Sequence, residues 1–234
     1  MSKPTMRSQA RHEMVMNRVM EAAEQLFARK GVAGTSLQEL AEAVGLTRTG
    51  IYHYIRNKDE LLATLVQGFT LPTSQDVQRL AQPDSRPAID RLREAVTNMA
   101  LIVALHPQRF RLLLTSEGAL PEPLAEQHLQ ARRQTLASLK DLISQAINEG
   151  SCRPVDAELA AFSLLGVSNW VAFWYPRHSG AGAATPELLA AGLTDIALGG
   201  LIAKRAPSGT EGIPYMVGLL REDLDRLESM IKGE

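Results

Sequence analysis

Apolar residues recur along the chain at helical rather than strand spacing. Val15, Val19, Ala22, Ala23, Leu26 and Phe27 fall at i, i+4, i+7, i+8, i+11 and i+12, one stripe of an amphipathic helix. Residues 1–10 read as a loose polar tail before it, and Gly31 predicts its end. In "TSLQELAEAVG" Leu37, Leu40, Ala41 and Val44 repeat the stripe, and Ser36 with Glu39 forms a capping box. Gly45 supplies a tight turn. Thr47 is placed to cap a short third helix whose inward positions are Ile51 and Ile55. Asn57 with Glu60 gives a second capping box. A fourth helix follows, carrying Leu61, Leu62, Leu65, Val66 and Phe69.

Pro72 and the stretch "PTSQDVQRLAQPDSRP" read as a connection. They divide a small unit, 1–62, from a larger one, 63–234. Helical patterns then recur at 88–105, 108–117, 122–149, 156–176 and 186–203, with Pro107, Pro121, Pro154 and Pro186 near their starts. "GAGAAT" is a link, and "YMVGLLREDLDRLESMI" predicts a last helix. No alternating Val, Ile and Thr run argues for a strand. The expected fold is all-α, an N-terminal three-helix helix-turn-helix domain plus a larger helical domain.

Composition sharpens this picture little. The 234 residues carry a net charge of −1. Residues 1–60 hold nine Lys/Arg against seven Asp/Glu, and the remainder sixteen against nineteen. That asymmetry permits an anionic partner at the N-terminal end. Cys152 is the sole cysteine, so no intrachain disulfide forms and a reducing cytoplasm is the expected home. The N-terminus lacks the apolar core of a signal peptide. The most apolar stretch, Leu159 to Tyr175, is interrupted by Gly166, Ser168 and Asn169; it reads as a buried helix or subunit interface, and no membrane partner is expected.

Enzyme signatures are missing from the sequence. It has no glycine-rich phosphate loop, no G-x-S-x-G and no H-E-x-x-H. The five histidines, His12, His53, His106, His128 and His178, show no ligand-like spacing, so neither a metal nor a cofactor is expected. The chain is read as not an enzyme. The rival from another class is an all-helical enzyme or scaffold that keeps only the helix-turn-helix shape.

The chemistry sits in "VGLTRTGIYHYIRNKDEL". With Ile51 and Ile55 inward, Arg48, Thr49, Tyr52 and His53 must face outward or along the rim. Arginine can donate two hydrogen bonds to guanine O6 and N7, and a threonine methyl can touch the thymine methyl. Tyrosine hydroxyls and backbone amides can hold phosphates. Gly50 removes a side chain where the helix would approach a groove. Lys58 starts the fourth helix, where its charge and the free amides favour a phosphate. The plainer reading is a solvated surface helix, which the upstream helix, the glycine turn and Lys58 in register argue against.

Residues 15–65 resemble the N-terminal domain of the TetR family of transcriptional regulators. The resemblance rests on F-x-x-x-G at Phe27–Gly31, "TS" at Thr35–Ser36, "LAEAVG" at Leu40–Gly45, and "YHY" with K-x-x-L across Tyr52–Leu61. Ile55 departs from the phenylalanine usual there, and Thr49–Gly50 from members that show glycine first. The resemblance implies that Gln38, Thr47, Arg48, Thr49, Gly50, Tyr52, His53, Tyr54 and Lys58 occupy DNA-contacting positions. Arg48, Thr49 and His53 would read bases; Thr47, Tyr52, Tyr54 and Lys58 would hold the backbone. It also implies a homodimer on a double-stranded palindromic operator, repressing until a small-molecule effector binds.

The larger domain has weaker signals. The segments 157–175 and 186–203 are apolar or small almost all round and suit a four-helix subunit interface. "NW-x-x-x-WY" at Asn169–Tyr175 resembles a TetR subgroup that senses acyl-CoA thioesters in lipid or sterol breakdown. Arg109, Arg111, Arg132 and Arg133 offer cations for a phosphate-bearing ligand. A multidrug sensor for cationic compounds would instead use acidic and aromatic walls, with Glu117 a candidate. The ligand candidates are Phe110, Arg111, Glu117, Arg132, Trp170, Trp174 and Arg177.

Overall fold

The computed structural model describes residues 6–178 and 184–203, with 217 and 221. The chain divides into two compact units, 1–201 and 202–234, and the fold below is that of the first. Apart from 217 and 221, the predicted last helix lies outside the described residues, as do residues 179–183 of the link before α10.

Helix α1, Met6–Lys30, begins inside the predicted tail. The residues from Met6 to Arg11 include no helix breaker, so the turn propagates toward the N-terminus. α2, Leu37–Val44, opens on the Ser36–Glu39 capping box and closes at Gly45, whose φ of +72° is the left-handed conformation that glycine adopts without strain. α3, Arg48–Ile51, is capped by Thr47, and turn hydrogen bonds carry the chain on to Ile55. α4, Lys58–Leu65, is capped by Asn57, whose side chain accepts from the Glu60 amide. The second capping box closes differently from expectation: the Glu60 carboxylate takes the Arg56 amide instead of that of Asn57.

The expected connection at Pro72 is helix. α4 runs into a π-helical turn, Val66–Thr70, and on into α5, Leu71–Ala81. Pro72 has no N–H to give and its ring crowds the preceding turn; a π-turn just upstream relieves both problems by widening the coil by one residue. The true break lies between Ala81 and Ala88. There the fully buried Arg91 donates to the carbonyls of Leu80 at 2.8 Å and Gln82 at 3.0 Å, and to Gln145 Oε1 at 2.7 Å. It satisfies the open C-terminal end of α5 with a positive charge.

α6, Ala88–Leu105, α7, Pro107–Ser116, α8, Glu122–Asn148, α9, Ala157–His178, and α10, Pro186–Gly199, follow the predicted periods closely. The N-terminal core joins α1–α4 and the π-turn, and it takes in Leu112 and Leu113 of α7 and Leu124 of α8. A second core packs α5, α6, α8 and α9 around Leu92, Val96, Leu139, Leu142 and Leu164. A third joins α6 and α9 through Val103, Val171 and Tyr175, with Phe110 and Trp174 at its edge. α9 is long and apolar enough, by length and composition, to cross a membrane. Its inner side meets α6, α7 and α8, while Leu159, Phe162, Val167 and Trp170 stay exposed on the other. Cys152, just before α9, is buried, which pushes its thiol up in pKa.

Candidate nucleic-acid interface and effector region

Ile51 and Ile55 are buried to 1% exposure or less and fix which side of α3 faces out. Thr47, Arg48, Thr49, Tyr52 and His53 are exposed, and so is Gln38 of α2. Arg48, Thr49 and His53 make no side-chain hydrogen bond or ion pair among the described residues. Their polar groups therefore stand ready for an outside partner. Gln38 is held by Glu42 along α2, with Nε2 at 3.0 Å from Oε1.

The frame behind this surface is tightly tied. Arg18 of α1 donates to the Val44 carbonyl at 2.9 Å, closing the end of α2. Glu39 pairs with Lys30 and accepts from Ser36; these contacts hold its carboxyl down to about 2. Tyr54 is half-buried and stacks on His12 of α1, with ring centroids 5.0 Å apart. His12 carries no motif signal, so its part in holding Tyr54 was not readable from the sequence.

Two residues sit otherwise than the sequence suggested. Gly50 is half-buried, and a Cβ there would lie 3.0 Å from Thr47 Oγ1, which accepts the Gly50 amide at 2.9 Å. The missing side chain makes room for the helix cap. Lys58 turns inward: its Nζ donates to the carbonyls of Val32 at 2.6 Å, Ala33 at 3.2 Å and Thr35 at 2.8 Å. The ammonium's three donors close the α1–α2 loop, so its geometry is that of a clamp and not of a free phosphate ligand.

The ligand candidates do not form one cluster. Phe110 and Trp174 edge the same α6–α9 core, and Phe110 also meets Phe69 of the π-turn edge-on at 6.3 Å. Arg111 is engaged on both sides of its guanidinium, by Glu24 of α1 and by the Ala172 carbonyl of α9. Glu117 and Arg132, cited for opposite ligand chemistries, pair with each other. Trp170 is 63% exposed and meets Phe173 in a tilted ring contact. The side chain of Arg177 lies outside the described residues.

Three cavities among the described residues are lined by other side chains. One, of about 440 Å³, lies between the start of α9 and the end of α10, bounded by Val155, Leu159, Ser163, Val167 and Ala197. Another, of about 460 Å³, lies between the start of α4 and Pro121–Leu124. The third, about 150 Å³ against Pro72, Asp76, Asn98 and Ile102, is below the size of a drug-like site. Thr70 Oγ1 of the π-turn and His128 Nδ1 of α8 are hydrogen-bonded at 2.8 Å, and burial lowers the His128 pKa. His106 is lowered chiefly by burial and secondarily by Arg109.

Residues 19–65 match the family model of bacterial regulatory proteins, tetR family, and residues 85–201 match that of the Tetracyclin repressor-like C-terminal domain. The transcriptional repressor KstR2 of Rhodococcus jostii is 26% identical over 190 residues, spanning 78% of this chain and 89% of that protein. AibR, solved in complex with isovaleryl coenzyme A and operator DNA, is 28% identical, with 78% of this chain and 97% of that one covered and a TM-score of 0.57. KstR2 of Mycobacterium tuberculosis shares the fold with a TM-score of 0.66 at 20% identity, covering 81% of this chain and 95% of that one. An exposed, capped recognition helix after a glycine turn, together with matches over both parts of the chain, leads to one conclusion: the protein belongs to the TetR family of bacterial transcriptional regulators.

Proposed function

We propose that the protein is a cytoplasmic, homodimeric repressor that reads a palindromic operator and leaves it when a small molecule binds. The observation that carries DNA reading is the uncommitted polar side of α3 opposite Ile51 and Ile55. In this reading, Arg48, Thr49 and His53 contact base edges. Thr47, Tyr52 and Tyr54 contact phosphates, Gln38 borders the groove, and Gly50 and Lys58 keep the head in shape. The reading head corresponds to residues 1–62 and the effector and dimerisation part to 63–234.

Dimerisation is supported by the open apolar side of α9 and α10, where Leu159, Phe162, Trp170, Leu188 and Ile196 are all more than half exposed. So much contiguous apolar surface marks an interaction site, and two-fold symmetry matches two half-sites about 34–36 Å apart. For the effector, Phe110 and Trp174 are the proposed aromatic walls, and Phe69 links them to the π-turn and the reading head. The proposed chemical class is an acyl-CoA thioester or a related lipid or sterol catabolite. It is supported by the likeness to AibR, solved with isovaleryl coenzyme A.

The test begins with selection of bound sequences from a random DNA pool. An enriched palindrome is expected, and acyl-CoA thioesters are expected to release it in an anisotropy assay. Enrichment of no sequence would refute the regulator reading. Release by cationic drugs and not by thioesters would move the chain to the multidrug-type sensors.

A further inference from the structure

Ala172 lies four residues before Pro176, inside α9. Proline has no backbone N–H, so the hydrogen bond that would normally end on the Ala172 carbonyl does not form. A carbonyl left open within a protein is costly unless another donor reaches it. The donor is Arg111 of α7, whose Nη1 stands 2.7 Å from the Ala172 oxygen. The other edge of the same guanidinium holds Glu24 of α1: Nη2 is 3.0 Å from Oε2, and Nε donates to Oε1. The side chains are only 22% and 21% exposed, so water screens the contact weakly. A planar guanidinium serves both partners at once; a lysine ammonium at the same place does not reproduce that fork.

We propose that Arg111 is a positioning residue that ties the reading head to the subunit-facing helix, through the carbonyl that Pro176 leaves open. α1 frames the recognition helix, and α9 carries the exposed Phe162 and Trp170. One guanidinium thus sets where the recognition helix stands relative to the partner subunit. The inference rests on the homodimeric operator reading above. Arg109 is the natural control: it also joins α7 to α1, through Asn17, without bonding α9.

The experiment uses the full chain and the operator selected from the random pool. That operator is rebuilt with its half-sites moved apart or together by one base pair, and in a version with one half-site scrambled. Wild type is expected to show a sharp optimum of spacing. Arg111→Lys keeps a cation beside Glu24 but loses the reach to Ala172. Pro176→Ala gives the Ala172 carbonyl an N–H from its own helix. Both are expected to reduce the penalty for misspacing by about tenfold, within the usual range of coupling between sites. Affinity for the scrambled operator stays within about twofold of wild type, an ordinary limit for uncoupled positions. Arg109→Lys keeps the wild-type profile.

If Arg111→Lys and Pro176→Ala retain the sharp optimum, the inference is overturned and the dimeric reading stands. An equal loss on every operator, with a fall in melting temperature, also overturns it, since the link would then serve folding alone. A wild type that ignores spacing overturns the dimeric reading itself.

Discussion

The Lys58 ammonium lies 2.6 Å from the Val32 carbonyl, joining residues 26 positions apart, and it reaches Thr35 as well. A lysine at a helix start invites assignment to a phosphate, and the two roles separate by measurement. Lys58→Ala is expected to destabilise the fold by about 2 kcal/mol, the order of a lost hydrogen bond to a charged group. The slope of log affinity against log salt stays unchanged. A phosphate contact would instead lower that slope by about one, so salt titration of the variant decides.

Arg48 is the opposite case, exposed and unpaired among the described residues. Arg48→Ala is expected to leave the melting temperature unaltered and to relax preference at one base position. The cost is about 1–3 kcal/mol against the best site. Repeating the selection with the variant is the check; an unchanged consensus would remove Arg48 from base reading.

Gly50 and Thr47 act on one hydrogen bond. Gly50→Ala pushes a methyl against the Thr47 hydroxyl and Thr47→Ala deletes that hydroxyl, each expected to cost about 1 kcal/mol, the usual worth of a helix cap. The double variant should cost little more than either single one, because both lesions remove the same contact. Denaturant melts of the three variants test this, and full additivity would break the assignment.

His106 and His128 both have pKa values lowered by burial. The unfolded chain therefore binds protons that the folded one refuses. Stability is fully present above the ordinary histidine value of about 6.5 and falls as pH drops below it. Glu39, held down from 4.5 to about 2, contributes stability that is constant across this window and is lost only as pH falls below about 4.5. Melting temperatures are expected to decline from pH 7.5 to 5.5, and His128→Gln should shrink that decline. A flat profile in wild type would contradict it.

The open face of α9 and α10 gives the simplest test of assembly. Ile196 is 83% exposed and Trp170 63%. Ile196→Glu and Trp170→Glu are each expected to turn a dimer into a monomer in sedimentation velocity, with little effect on the melting of the separated chain. Charge at the centre of an apolar contact is strongly unfavourable.

Most helices were legible because period, caps and glycines agree with one another. Ser36, Gly45 and Thr47 mark their positions by local chemistry that needs no tertiary partner. Pro72 misled because a proline signals a break unless a π-turn absorbs it, and that turn depends on the packing of Phe69 and Thr70. The outward residues of α3 could be read from the inward isoleucines. The roles of Lys58 and Arg111 could not: their partners are backbone carbonyls and a distant glutamate, which no spacing rule encodes. The same holds for Arg91, a charge buried by its bonds to the end of another helix.

The unbroken run from α4 through the π-turn into α5 has a mechanical meaning. A slack joint between two modules would let each settle independently, and a disturbance in one would fade before reaching the other. Here one continuous helical shaft spans the two cores, so a twist applied beside Pro72 is expected to reach the foot of the recognition helix.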